Sequence, residues 1–189
     1  MTSKRIIYYL LAAFITGNLL LIFMQYNSAR NIDNLILGNE KLLDEFKTGT
    51  QLRELEKDVF SMESDVRGAI AMTDVSVAAN LEQQVVEVQG DLAQLQTIAD
   101  DDSSVKFIDE LDRLVQEKIT FSRQVLDTFT HSGKKAAEIL MTSQHGRKLM
   151  ESIASVAHKI DTSRQVLLTR VTESIDESGR KAVFLCLGL

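Results

Sequence analysis

Three histidines, a lone cysteine and a run of aspartates are the side chains of this 189-residue chain with evident chemistry to offer. His158, in His158-Lys159-Ile160-Asp161-Thr162, invites comparison with the phosphoacceptor of a histidine kinase. Such segments put an acidic residue directly after the histidine and a proline a few positions on. Here Lys159 follows, and the chain contains no proline. His158 therefore reads as a solvated residue on a helix surface. His131 and His145 lack the one-turn His or Cys partners that zinc favours. Asp100-Asp101-Asp102 lacks the alternating ligands, glycine and closing glutamate of an EF-hand, and reads as a solvated turn. No glycine-rich phosphate loop or serine nucleophile elbow occurs. Cys186 sits in an apolar tail and reads as an inert filler. No catalytic, metal or cofactor-binding residue is assigned, no cofactor is expected, the chain does not read as an enzyme, and its ligand-binding residues are unknown.

What would position any site is set by the two ends of the chain. Ile6 to Tyr26 is almost wholly apolar behind Lys4-Arg5. As a helix rising about 1.5 Å per residue, that run crosses a hydrocarbon core of about 30 Å. A signal peptide would have a shorter apolar core and a small-residue cleavage site, where this chain has Gln25-Tyr26-Asn27-Ser28, so an uncleaved anchor is the expectation. Lys4 and Arg5 before the span, with Arg30 alone close behind it, place residues 1–5 in the cytoplasm and residues 27–181 outside, beyond the 6–26 span. A second apolar run, residues 182–189 behind Arg180-Lys181, is too short to cross and reads as the start of a truncated second transmembrane helix, against the plainer reading of a frayed tail. Ala13 and Gly17, one turn apart, suit close approach of two membrane helices, equally compatible with ordinary membrane composition.

Between these runs, residues 31–178 hold all 27 acidic residues and 16 of the 21 basic ones, a net charge of −11. That balance argues against nucleic acid as a partner, which wants clustered Lys and Arg. With one cysteine, the outward region has no disulfide framework and must be held by helix packing.

Ala78, Leu81, Val85, Val88, Leu92, Leu95 and Ala99 alternate steps of three and four, a heptad seam. Compatible spacing runs from Ile32 through Leu35, Leu42, Phe46, Leu52, Leu55, Val59, Met62, Val66 and Ala69 to Thr73, then from Ile108 to Phe129, then from Ile139 through Leu149 and Ile160 to Ile175. Thr73-Asp74, Asp100 to Ser104 and His131-Ser132-Gly133 mark the turns. The expected fold is all-α: a membrane-anchored up-down-up-down four-helix bundle whose long first and last helices (31–73 and 133–178) continue into transmembrane helices and outreach the inner pair as a two-helix stalk.

Three stretches resemble the third family of CHASE domains, the extracytoplasmic sensors of bacterial signalling receptors. Arg67-Gly68, ahead of the Thr73-Asp74 turn, resembles its Arg-Gly signature. Leu111-Asp112-Arg113-Leu114-Val115-Gln116-Glu117-Lys118 is similar to its Leu-x-x-Leu-Val-x-x-Lys segment, and Gly133 with Ala136-Ala137 and Gly146 to Ile153 resembles its last-helix segment. The chain departs from the family at Ala69, where an aromatic is frequent, and at Ala71-Met72-Thr73, which lacks the turn glycine. The resemblance implies an input module, sensing an unknown extracytoplasmic ligand or stimulus, of a two-membrane-helix receptor such as a two-component kinase, a cyclase or a chemotaxis receptor, with the output domain outside this sequence. A homodimer through bundle and membrane helix, with the lipid membrane as a further partner, completes the expectation. The alternatives are the ligand-binding bundle of methyl-accepting chemotaxis proteins and a membrane-anchored structural or adaptor bundle that senses nothing.

Overall fold

The structure, a computed structural model, describes residues 2–98 and 102–187, with side chains described for residues 6–98 and 105–180. The described elements are α1 (Thr2–Met72), a 3-10 turn (Val75–Ala78), α2 (Leu81–Ile98), α3 (Asp102–Ser132), α4 (Lys134–Met141) and α5 (Gln144–Leu187). No strand occurs among the described residues, so the fold is an all-α bundle. Asp100, Asp101 and the side chains of Ser103 and Ser104, expected at the second turn, lie outside the described residues, as do the side chains of the terminal apolar run, Cys186 included.

By its contacts the chain divides into two units, residues 1–43 with 168–189, and residues 44–167. In the first, parts of α1 and α5 meet at Gly38, where a Cβ would lie 2.7 Å from Ile175 Cγ1. Only a residue without a side chain lets α5 come so close there. The apolar stretch of α1 that begins at Ile6 is long and apolar enough to cross a membrane, and none of it is buried.

The second unit holds the core. Leu52, Leu55, Val59, Met62 and Val66 of α1 pack with Val85, Val88 and Leu92 of α2, Leu111, Val115 and Ile119 of α3, and Ile153, Val156 and Ile160 of α5. These seams face inward because their steps of three and four keep them on one stripe of each helix. Two polar bridges, Gln51 to Asp91 and Gln84 to Asp65, run α1 and α2 antiparallel. Arg123 to Glu82 and Gln89 to Gln116 do the same for α2 and α3. His145 against Phe121 and Lys159 over Phe107 do so for α3 and α5.

The first turn falls where the sequence puts it. Asp74 N bonds Ala69 O at 2.9 Å and Thr73 N bonds Ile70 O at 3.3 Å, closing α1 with a Schellman motif. With no glycine available, Thr73 takes the left-handed conformation itself, at φ 59°. Asp74 then caps the 3-10 turn, its Oδ1 accepting from Ser76 N at 2.9 Å. Lys134 Nζ donates to Ala71 O at 2.8 Å, satisfying another free carbonyl at the end of α1.

Three sequence expectations need correction. The last helix is not continuous: it breaks at Thr142-Ser143, where Thr142 N and Oγ1 both bond Glu138 O and Ser143 N bonds Leu140 O. The Thr142 hydroxyl competes with the backbone for the Glu138 carbonyl, at 2.7 Å. One turn on, Gly146 packs against the Phe121 ring, whose edge would lie 2.7 Å from any Cβ. Ile139, placed in the seam by its spacing, is 66% exposed on α4, which buries Ala137 instead. Ile32 and Phe46 of α1 are exposed as well, because the buried stripe of that helix begins at Thr48 and Leu52.

Candidate functional site

The three sequence stretches that carry the family resemblance come together in space. Arg67 near the end of α1, Lys118 in the middle of α3 and Gly146 at the start of α5 line one cleft, with Glu63, Phe121, Ser122 and Met141 completing its wall. Each is presented by a helix whose opposite neighbours are core: Met62 and Val66 flank Glu63 and Arg67, and Val115 and Ile119 flank Lys118.

Lys118 is the unusual member. Its side chain is 3% exposed, and Nζ lies 3.0 Å from Glu63 Oε2. The Phe121 ring is 5.7 Å from the same ammonium, and burial pulls the Lys118 pKa below its ordinary value, against the Glu63 carboxylate that raises it. Arg67 holds the other side of Glu63, Nε donating to Oε1 at 2.9 Å. Glu63 and Arg67 thus form an i, i+4 ion pair on α1, and a cation from another helix joins it. Two cations share one carboxylate, leaving one positive charge in excess. Gly68 beside Arg67 is a close-packing position, where a Cβ would sit 3.2 Å from Val77.

A second buried charge was not visible in the sequence. Arg164 of α5 donates through Nε to the main-chain carbonyl of Glu45 at 3.0 Å and through Nη1 to Asp161 at 2.8 Å. Gly49 makes this possible: lacking a side chain, it exposes the Glu45 carbonyl one turn back, and any Cβ there would collide with the guanidinium. The signal available in the sequence was a glycine in the middle of a heptad seam.

The histidines fall apart from one another. His158 is exposed on α5. His131 contacts Asp127 of its own helix at 3.1 Å, and His145 packs edge-on against Phe121 with Glu117 3.6 Å away. Among the described residues no group of three or more His, Cys, Asp or Glu is placed to hold a metal ion.

The geometry defines the class as an all-α bundle with heptad seams whose first helix runs on into a segment able to cross a membrane. The family comparison gives the specific assignment: the CHASE3 domain model matches residues 38–174, and the chain belongs to that family. CHASE3 domains are extracytoplasmic sensory domains of signalling receptors, so this chain carries a sensory domain rather than a catalytic one. No curated protein and no solved structure matches the chain.

Proposed function

We propose that this chain is the extracytoplasmic input module of a bacterial transmembrane receptor and that it passes a stimulus through the membrane by displacing α5 against α1. In this reading residues 1–5 are cytoplasmic, 6–26 span the bilayer and 27–181 lie outside, with residues 182–189 entering the membrane again. Two copies pair through the bundle and the membrane helix. The observation that carries the reading is the unbroken run of α1 from Thr2 to Met72, which joins an apolar segment directly to a family-matched domain. A continuous helix transmits a small axial or rotational shift without any chemistry, provided the packing has two discrete arrangements. The Arg164 contact with a main-chain carbonyl of α1 is a candidate for such a contact, because a shift of α5 must break it.

Cysteines placed at Asn31 and Ser178, with Cys186→Ser, test the displacement. Their crosslinking rate is expected to differ between neutral and mildly acidic medium, while a control pair within α3 stays constant. Equal rates across all conditions contradict the reading.

A further inference from the structure

Lys118 Nζ carries three N–H donors, and the structure spends one of them, on Glu63. The neighbouring Ser122, one turn along α3 and 2% exposed, makes no hydrogen bond through its hydroxyl to any described residue. Both groups line the cleft, whose remaining wall is the apolar surface of Val66, Phe121, Val125 and Met141. A buried ammonium with unspent donors is costly unless something accepts from it. The open space amounts to about 10 Å³, enough for roughly one water-sized body. Glu63 meets Lys118 through Oε2 alone, its Oε1 facing the Arg67 guanidinium.

We propose that this cleft binds a small monoanion, a halide ion or the carboxylate end of a larger molecule, held by Lys118 Nζ and the Ser122 hydroxyl. The occupant neutralises the positive charge that Arg67 and Lys118 leave over after Glu63. Apolar walls exclude water from the contact and so strengthen it. The same walls and the single-body size discriminate against sulfate, which is larger, divalent and strongly hydrated. Gly146 keeps the cleft's floor open, since the ring of Phe121 packs directly on its backbone. The thermal midpoint reads occupancy of the cleft and not the displacement of α5 against α1, so a failure here leaves the helix-displacement reading intact.

The test is the thermal unfolding midpoint of the full chain in detergent, measured in sodium chloride, sodium acetate and sodium sulfate at matched ionic strength. The midpoint is expected to rise, saturably, in chloride or acetate relative to sulfate. A rise in chloride alone identifies a halide site, one in acetate alone the carboxylate end, and one in both a site open to either. Lys118→Met, which leaves Glu63 paired with Arg67, should abolish the rise; Ser122→Ala should weaken apparent binding about tenfold, the worth of one charge-assisted hydrogen bond. Identical midpoints in the three salts, or a rise that survives Lys118→Met, overturn the proposal.

Discussion

Lys118 of α3 and Glu63 of α1 face each other at 3.0 Å with 3% and 13% of their side chains exposed, a nearly dry ion pair between two helices of one core. Arg67 leans on the same carboxylate from the rim, more than half exposed. The three charges are therefore not equivalent, and removing each has a different cost.

Glu63→Leu strips Lys118 of its one ionic partner among the described residues and should destabilise the bundle by about 3 kcal/mol, the cost typical of stranding a buried charge. Lys118→Met leaves Glu63 paired with Arg67 and should cost about 1 kcal/mol or less. Adding Lys118→Met to Glu63→Leu should restore most of the loss. Denaturant unfolding of the four proteins gives the coupling directly; additive losses would show that the pair is not energetically linked.

Thr73 is a β-branched residue in the left-handed region, at φ 59°, in a position where a glycine carries no such strain. Thr73→Gly should stabilise the protein by about 0.5–1 kcal/mol, the relief of strain exceeding the extra chain entropy of glycine. The check is the unfolding midpoint, and an unchanged or lowered midpoint would mean that the weak contact of Thr73 with Lys134 matters more than the backbone strain.

Two glycines on helices should respond to alanine in opposite directions. Gly90 is exposed on α2 with nothing near its missing Cβ, so Gly90→Ala should stabilise by about 0.5–1 kcal/mol. Gly49→Ala drives a methyl into the Arg164 guanidinium and should destabilise by about 3 kcal/mol by dislodging a buried cation from its acceptors. Equal effects in calorimetry would remove Arg164 as an anchor between α1 and α5.

Asp91 on α2 is pushed above the ordinary aspartate range, first by burial and then by the carboxylates of Asp58, Glu54 and Glu87, with the Gln51 hydrogen bond pulling the other way. A carboxyl whose folded pKa is raised keeps its proton longer in the folded state. Its contribution to stability is therefore full below the unfolded value of about 3.9 and is lost as pH rises through the folded value. Asp91→Asn retains an oxygen that accepts from Gln51 and never ionises. It should be more stable than wild type at neutral pH, with the gap closing as pH falls through the raised folded value and gone below about 4. A gap independent of pH would assign the effect to packing.

Much of the architecture was legible because heptad spacing is a direct readout of which helix face is buried. Val85, Val88 and Leu92 on α2 and Leu111, Val115 and Ile119 on α3 are buried where their spacing puts them. The break at Thr142-Ser143 was not, since neither residue is a strong helix breaker, and the packing of Gly146 on Phe121 just beyond it is a contact that only the tertiary structure creates. For the candidate site, Arg67, Lys118 and Gly146 each stood within a motif, yet nothing in the linear pattern showed that they share a cleft. Lys118 looks like any helix lysine until α1 supplies Glu63. Arg164 was invisible for the same reason: its acceptor on Glu45 lies 119 residues away in the chain.

In the proposed topology the bundle stands outside the cytoplasm on a helix that crosses the membrane. Single cysteines at Gln83, exposed on α2, and at Thr2, each with Cys186→Ser, can be treated in intact cells with a membrane-impermeant maleimide. Labelling is expected at position 83 in intact cells and at position 2 only after permeabilisation. Labelling at position 83 that requires permeabilisation would contradict that topology.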